Sequence, residues 1–212
     1  MSEEIGLFEA MRTMRAMRRL RSDPVPDELI RQIITAGTYA PSGGDVQHWR
    51  FIVVKDPDIK KEIQLRYKKA LDQLLPRYRS NPPLPGKSEA QKNRMLDAVI
   101  YLTEHFHEAP VLIVCCLTGD MAKAIGLAKM SGASIYPAVQ NMLLAARGLG
   151  LGATLTTRHL LFEKEVSEVL GLPDNAETFA VIPIGYPLGR FGPVARQPLE
   201  AVTFQDRWGN AY

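Results

Sequence analysis

Long hydrophobic runs are missing from this chain. The longest strongly apolar stretch is VLIVCCL, Val111 to Leu117, far short of the ~20 residues that a bilayer-spanning helix needs. Cysteine is nearly absent: Cys115 and Cys116 are the two thiols, side by side inside that run. They are too few for a disulfide-built secreted fold, and adjacent positions in an apolar strand read as buried thiols rather than a redox pair. An excess of one charge is missing too. Lys and Arg number 26 against 23 Asp and Glu, a formal charge of +3, and the basic residues are dispersed, which leaves no nucleic-acid footprint. The N-terminal MSEEIGLFEAM is acidic and then amphipathic, unlike a secretory signal. These absences point to a cytoplasmic protein that engages neither membrane nor nucleic acid.

What is present is apolar material, 46% of 212 residues, enough for a sizeable core in a single domain spanning 1–212. Ile5, Phe8, Met11 and Met14 recur at helical spacing over 3–14, and the arginine cluster RAMRRLR, Arg15 to Arg21, follows. Prolines open a second helix with Leu29, Ile30, Ile33 and Ile34 on one face. A polar connection then runs from Ala40 toward the strand Phe51–Val54. A third helix carries Ile59, Ile63, Tyr67, Ala70 and Leu74. Residues 76–94 hold four prolines and five basic residues without periodicity and read as an exposed excursion, either a plain connector or a lid. A helix near 95–108, a strand over 111–117, a long Ala- and Leu-rich helix, the strand ATLTT, a short helix and a strand over 178–185 complete the body. The tail, 186–212, is rich in proline and glycine, has one strand-like run, AVTF (Ala201 to Phe204), and carries Phe191, Phe204, Trp208 and Tyr212. Such a tail wraps its own domain or a partner. The order of elements gives an α/β or α+β sandwich.

Several chemical motifs fail on context. GLGLGA, Gly148 to Ala153, follows a helix and precedes a strand, the reverse of a dinucleotide fingerprint, so it reads as a helix end and tight turn. His105 and His107 point to different faces of a helix, and His48 and His159 are isolated, so no metal site is expected. Ser42 lacks the context of a nucleophile elbow. Arg15 and Arg18, three apart at a helix end, are either a solvated basic terminus or a fork for phosphate.

Their company favours the fork. RAMRRL, APSGGDVQHWRFIVV, NMLLAARGLGLGATLTT and IPIGYPLG with VARQPLE occur in that order. Together they resemble the nitroreductase superfamily of FMN-dependent oxidoreductases along nearly the whole chain. The resemblance implies an α+β, α/β-sandwich fold with a central mixed sheet flanked by helices, and a homodimer with FMN at the subunit interface. It also implies that the C-terminal arm, 186–212, crosses onto the partner, with a possible lid near 60–95. Carried over by position, Arg15, Ala16, Met17 and Arg18 contact phosphate and ribityl, and Arg196 is a second phosphate arginine. Pro41, Ser42, Gly43, Asp45 and Gln47 form the interface loop along the flavin, and Leu155, Thr156 and Thr157 meet its reactive edge. Trp49 either packs in the core or stacks on the flavin. Ala16, Asp45 and Val194 depart from the serine, asparagine and lysine often found in the family.

The implied activity takes hydride from NADH or NADPH and passes two electrons to a small electron-poor acceptor, a nitroaromatic or quinone, with no catalytic protein side chain. The alternatives are a specialised reductive dehalogenase of halophenols, a flavin-cleaving oxygenase, or a non-catalytic flavin-binding protein.

Overall fold

The computed structural model describes residues 5–119 and 128–212. Four strands, β1 (Trp49–Val54), β2 (Val111–Thr118), β3 (Gly152–Ala153) and β4 (Ala176–Gly185), lie in the order β1-β2-β4-β3. The helices are α1 (Leu7–Thr13), α2 (Asp27–Thr38), α3 (Pro57–Ser80), α4 (Glu89–Glu104), α5 (Ala128–Gly148) and α6 (Glu163–Leu170). No helix among the described residues is long and apolar enough to cross a membrane.

Strand β2 organises the core. Its odd residues Val111, Ile113, Cys115 and Leu117 pack with Ile33 of α2 and Ile135, Val139 and Met142 of α5. Its even residues Leu112, Val114 and Cys116 pack with Ile63 and Tyr67 of α3, Leu102 of α4 and Val166 of α6. Successive side chains on a strand alternate faces, so one continuous apolar run fills both layers of the sandwich. The same alternation sends the two neighbouring thiols to opposite faces. Both are buried and free, and burial pushes the Cys116 thiol up to about 12 and Cys115 higher still. Trp49 belongs to the core.

The sheet differs from the expected mixed one: every pairing is antiparallel. For β1 and β2 the reason is the pair of helices between them. The chain goes out along α3 and back along α4, so β2 starts where β1 ended, whereas one crossover helix would make the pair parallel.

The excursion over 76–94 is also shorter than expected. Helix α3 continues through Pro76 to Ser80, and α4 begins at Glu89. Two contacts outweigh the lost proline N–H. Lys92 of α4 donates to the Arg79 carbonyl at 3.0 Å, securing the last turn of α3. A capping box starts α4: Gln91 N donates to Ser88 Oγ (3.2 Å) and Ser88 N to Gln91 Oε1 (2.9 Å). Of the helix predicted over 3–14, residues 3 and 4 lie outside those described, and the observed helix runs from Leu7, after an extended Gly6, to Thr13, with Met14 already extended. ATLTT contributes only Ala153 to β3, followed by one bridge from Thr156 to Val181. AVTF is no strand: Leu199–Ala201 is a 3-10 turn and Phe204 makes a single bridge to Ala211. GLGLGA behaves as expected, with Gly150 at φ 74° in the turn between α5 and β3.

Gly152 fixes where the arginine cluster lies. A Cβ there would stand 2.8 Å from Leu20 Cδ2 and 2.9 Å from Met17 Cβ, so only glycine lets residues 17–20 lie against β3. Gly152→Ala should cost about 1–3 kcal/mol by overpacking, read as a lowered urea midpoint, while Gly148→Ala, open on its Cβ side, should not.

Candidate functional site

The arginines do not sit on a helix face. Residues 14–21 run extended along the sheet edge: Met17 N donates to Ala153 O (3.1 Å), Leu188 N to Arg19 O (3.0 Å) and Arg21 N to Tyr186 O (2.8 Å). Backbone pairing thus aims Arg15 and Arg18 into a cleft of about 450 Å³, closed on one side by Gln91, Arg94, Met95 and Ala98 of α4. Ala16 and Met17 line it too, and Arg19 and Arg190 bring its guanidiniums to five. No aspartate or glutamate lines it among the described residues.

Arg18 is the unusual member. Burial lowers its pKa first, Tyr67 opposes that, and the charges of Arg158 and Arg15 lower it further. The guanidinium still keeps its proton. A half-buried cation beside like charges, without a carboxylate, is poised for an anion. Beneath it, Arg158 lies over the Tyr67 ring at 4.7 Å and donates to Thr103 Oγ1 at 2.8 Å. Burial pushes the Tyr67 phenol up, against Arg158, the Thr156 hydroxyl and Arg18. Tyr67 therefore joins the cleft to the segment Leu155–Thr157, where Leu155 and Thr157 are exposed and Thr156 is turned inward, its hydroxyl donating to Val181 O at 2.7 Å.

The second group of expected residues stands apart. Pro41 to Gln47 are mostly exposed. Gly44, Asp45 and Gln47 all have left-handed backbone, φ 60°, 55° and 53°, a strained form for the two non-glycine residues. Side chains hold it: Ser42 Oγ accepts from Gln47 N (2.9 Å), Gln47 Nε2 donates to Asp45 Oδ1 (2.9 Å), and Gly43 N donates to Ser134 Oγ (3.1 Å). Asp45 is therefore partnered within the turn. Ser134 and Arg147 lie well apart on α5, and Arg147 Nε donates to Thr13 Oγ1 at 2.9 Å, just before the arginine segment. At 1.5 Å per residue the two anchor points are ~20 Å apart along α5, and no residue of 41–47 lines the arginine cleft.

Arg196 is exposed and donates to the Ala195 carbonyl at 3.0 Å. It does not line the cleft, where Arg190 is the tail's contribution. Arg94, Arg158 and Arg190 were not legible as site residues, since nothing in their sequence neighbourhood says that α4 and the start of the tail face Arg18. The tail follows its own domain through Val194 N to Arg12 O (3.1 Å), with Arg147 over the Phe191 ring at 4.3 Å. Beyond that, Phe204 packs on Trp208 at 4.7 Å, while Trp208 and Tyr212 stay 90% and 79% exposed. No cluster of three metal-ligating side chains occurs among the described residues.

Residues 11–186 match the sequence model of the Nitroreductase family. The chain is a nitroreductase-family protein. It is 32% identical over 198 residues to an NADH dehydrogenase of Thermus thermophilus, covering 89% of this chain and 90% of that one. It is 29% identical over 191 residues to rat iodotyrosine deiodinase 1, covering 85% of this chain and 61% of the relative. The fold matches that of an oxidized iodotyrosine deiodinase bound to FMN and 3-iodo-L-tyrosine, with TM-score 0.70 and 22% identity over 95% of this chain and 99% of the other.

Just past Thr157, His159 is fully buried and neither ring nitrogen has a partner. Burial lowers its pKa to about 4. The folded state resists a proton that the unfolded chain accepts near 6.5, so this contribution is complete above pH 6.5 and fades as pH falls toward 4. Wild type should lose about 3 kcal/mol more stability than His159→Leu between pH 7 and pH 4, by urea melts. Parallel losses would place the imidazole in contact with water.

Proposed function

We propose that this nitroreductase-family protein is an FMN-dependent oxidoreductase that works as a homodimer. The observation that carries the reading is Arg18, half-buried beside Arg15 and Arg158 with no acid lining the cleft among the described residues. These residues fit a phosphate monoester: two guanidiniums supply forked donors, and the dianion relieves their mutual repulsion. When bound, FMN supplies the redox chemistry, taking hydride from NADH or NADPH and passing two electrons to an electron-poor acceptor such as a nitroaromatic or quinone.

The chain's own groups bind and orient. Arg15 and Arg18 hold the phosphate, and Ala16 and Met17 line the path of the ribityl chain. Leu155 and Thr157 offer exposed backbone on the Tyr67 side of the cleft. The loop 41–47 completes the site from a second copy, because in its own chain it lines no part of the arginine cleft and is anchored to α5 ~20 Å along the helix from Arg147. Two further surfaces support a dimer: α1 leaves Phe8 83% exposed, and the last residues of the tail find few partners in their own chain. Such apolar surface is unusual on a monomer. Reductive dehalogenation is the second reading, favoured by the relationship to iodotyrosine deiodinase, and it uses the same site with a different acceptor.

Charge-assisted hydrogen bonds contribute roughly 1.5–3 kcal/mol each. Arg18→Ala should weaken FMN binding about tenfold or more in a fluorescence titration. Unchanged affinity would remove the phosphate from this cleft. Assaying the flavin-loaded protein with nitroaromatics, quinones and halophenols under anaerobic conditions then separates the two readings of the acceptor.

A further inference from the structure

The cleft carries more positive charge than one phosphate monoester needs. Five guanidiniums line it, and no acid does among the described residues. Arg19 is turned onto the Tyr101 ring at 5.0 Å, and Arg15 and Arg18 answer the flavin phosphate. Arg94 and Arg190 remain, both exposed, neither in a described ion pair. Asp97, one turn beyond Arg94, neither pairs with it nor lines the cleft.

A second cavity, about 460 Å³, adjoins this one and shares Gln91 and Met95 with it. Its walls are the end of α3, the loop 81–88 and the start of α4. Tyr78, Pro82, Pro83, Leu84 and Met95 make it largely apolar. Its polar side chains are Tyr78, Asn81, Lys87, Gln91 and Lys92, with Lys87 a third cation near the arginine pair. Gln91 is occupied by the α4 cap and Lys92 by Arg79 O and Glu89. An apolar slot with a tyrosine and two prolines suits a flat heteroaromatic base. The neighbouring pair of free guanidiniums suits a phosphate on that base's ribose.

We infer that Arg94 and Arg190 bind the ribose 2′-phosphate of NADPH, with the adenine in the cavity formed by residues 78–96, so that this protein selects NADPH over NADH. The inference rests on the flavoenzyme reading and adds the identity of its electron donor. A dinucleotide without that phosphate leaves both guanidiniums unanswered and gains only the apolar contact. Selection thus comes from α4 and the first turn of the tail, not from the groups that hold the flavin.

The test uses flavin-loaded protein and two measurements. In calorimetry, adenosine 2′,5′-bisphosphate should bind at least tenfold more tightly than adenosine 5′-monophosphate, and Arg94→Ala should remove most of that difference. Arg94→Lys should restore part of it. In anaerobic stopped-flow reduction, the ratio of kcat/KM for NADPH to that for NADH should fall about tenfold in Arg94→Ala. Arg94 is exposed on α4, so the variant should fold, and its flavin content reports on the phosphate grip separately. Loss of flavin from Arg94→Ala would assign this arginine to FMN and overturn the inference. So would equal affinity for the two adenosine phosphates, or equal loss with both donors. Failure of the flavoenzyme reading would look different, since neither dinucleotide would then reduce the loaded protein.

Discussion

Half burying Arg18 beside two other guanidiniums, in a cleft that no carboxylate among the described residues lines, costs free energy that the rest of the fold has to offset. A chain needing only a stable sandwich would answer that charge with an acid or leave it in water. Here the surroundings enforce the arrangement. Backbone pairing to β3 and to the start of the tail fixes residues 17–21. Gly152 lets them come close, and the Tyr67–Arg158–Thr103 contacts support the guanidinium from beneath. The apolar layers on the two faces of β2 supply the stability on which this local repulsion draws.

The loop 41–47 follows the same logic. Two non-glycine residues in left-handed backbone are held by Ser42, Asp45, Gln47 and Ser134 side chains, so the strain is over-determined, as it commonly is at functional sites. Ser42 and Gln47 thus shape the loop rather than standing free. The exposed face that results is built of backbone from glycine-rich chain, the kind of surface that can approach a flat ring closely.

Much of this was legible in the sequence. Periodicity found the helices, and the run Val111–Leu117 marked the central strand because burial on both faces permits no polar alternation. The order of four weak motifs gave the family, and Arg15, Ala16, Met17 and Arg18, expected to contact phosphate and ribityl, line one cleft together. The rest depended on tertiary contacts that local pattern does not carry. Lys92 reaching Arg79 extends α3 past Pro76. The return of α4 makes β1 and β2 antiparallel. The facing of α4 onto the arginine segment brings in Arg94, and Arg190 lines the cleft from the tail while Arg196 does not. None of these can be read from residues adjacent in sequence.

The central claim is that one site draws Arg18 from one subunit and the loop 41–47 from another. Subunit complementation tests it most directly. Arg18→Ala breaks the phosphate grip, and Gly44→Val breaks the loop, since φ 60° at Gly44 excludes a branched side chain. Each variant alone should bind little FMN. After the two are mixed, denatured and refolded together, the heterodimer should hold one intact site, made from Arg18 of one subunit and the loop of the other, and FMN binding should return at half the sites of that species. If both elements of a site came from one chain, every site in the mixture would carry a defect. No recovery of binding in a verified heterodimer would contradict the account.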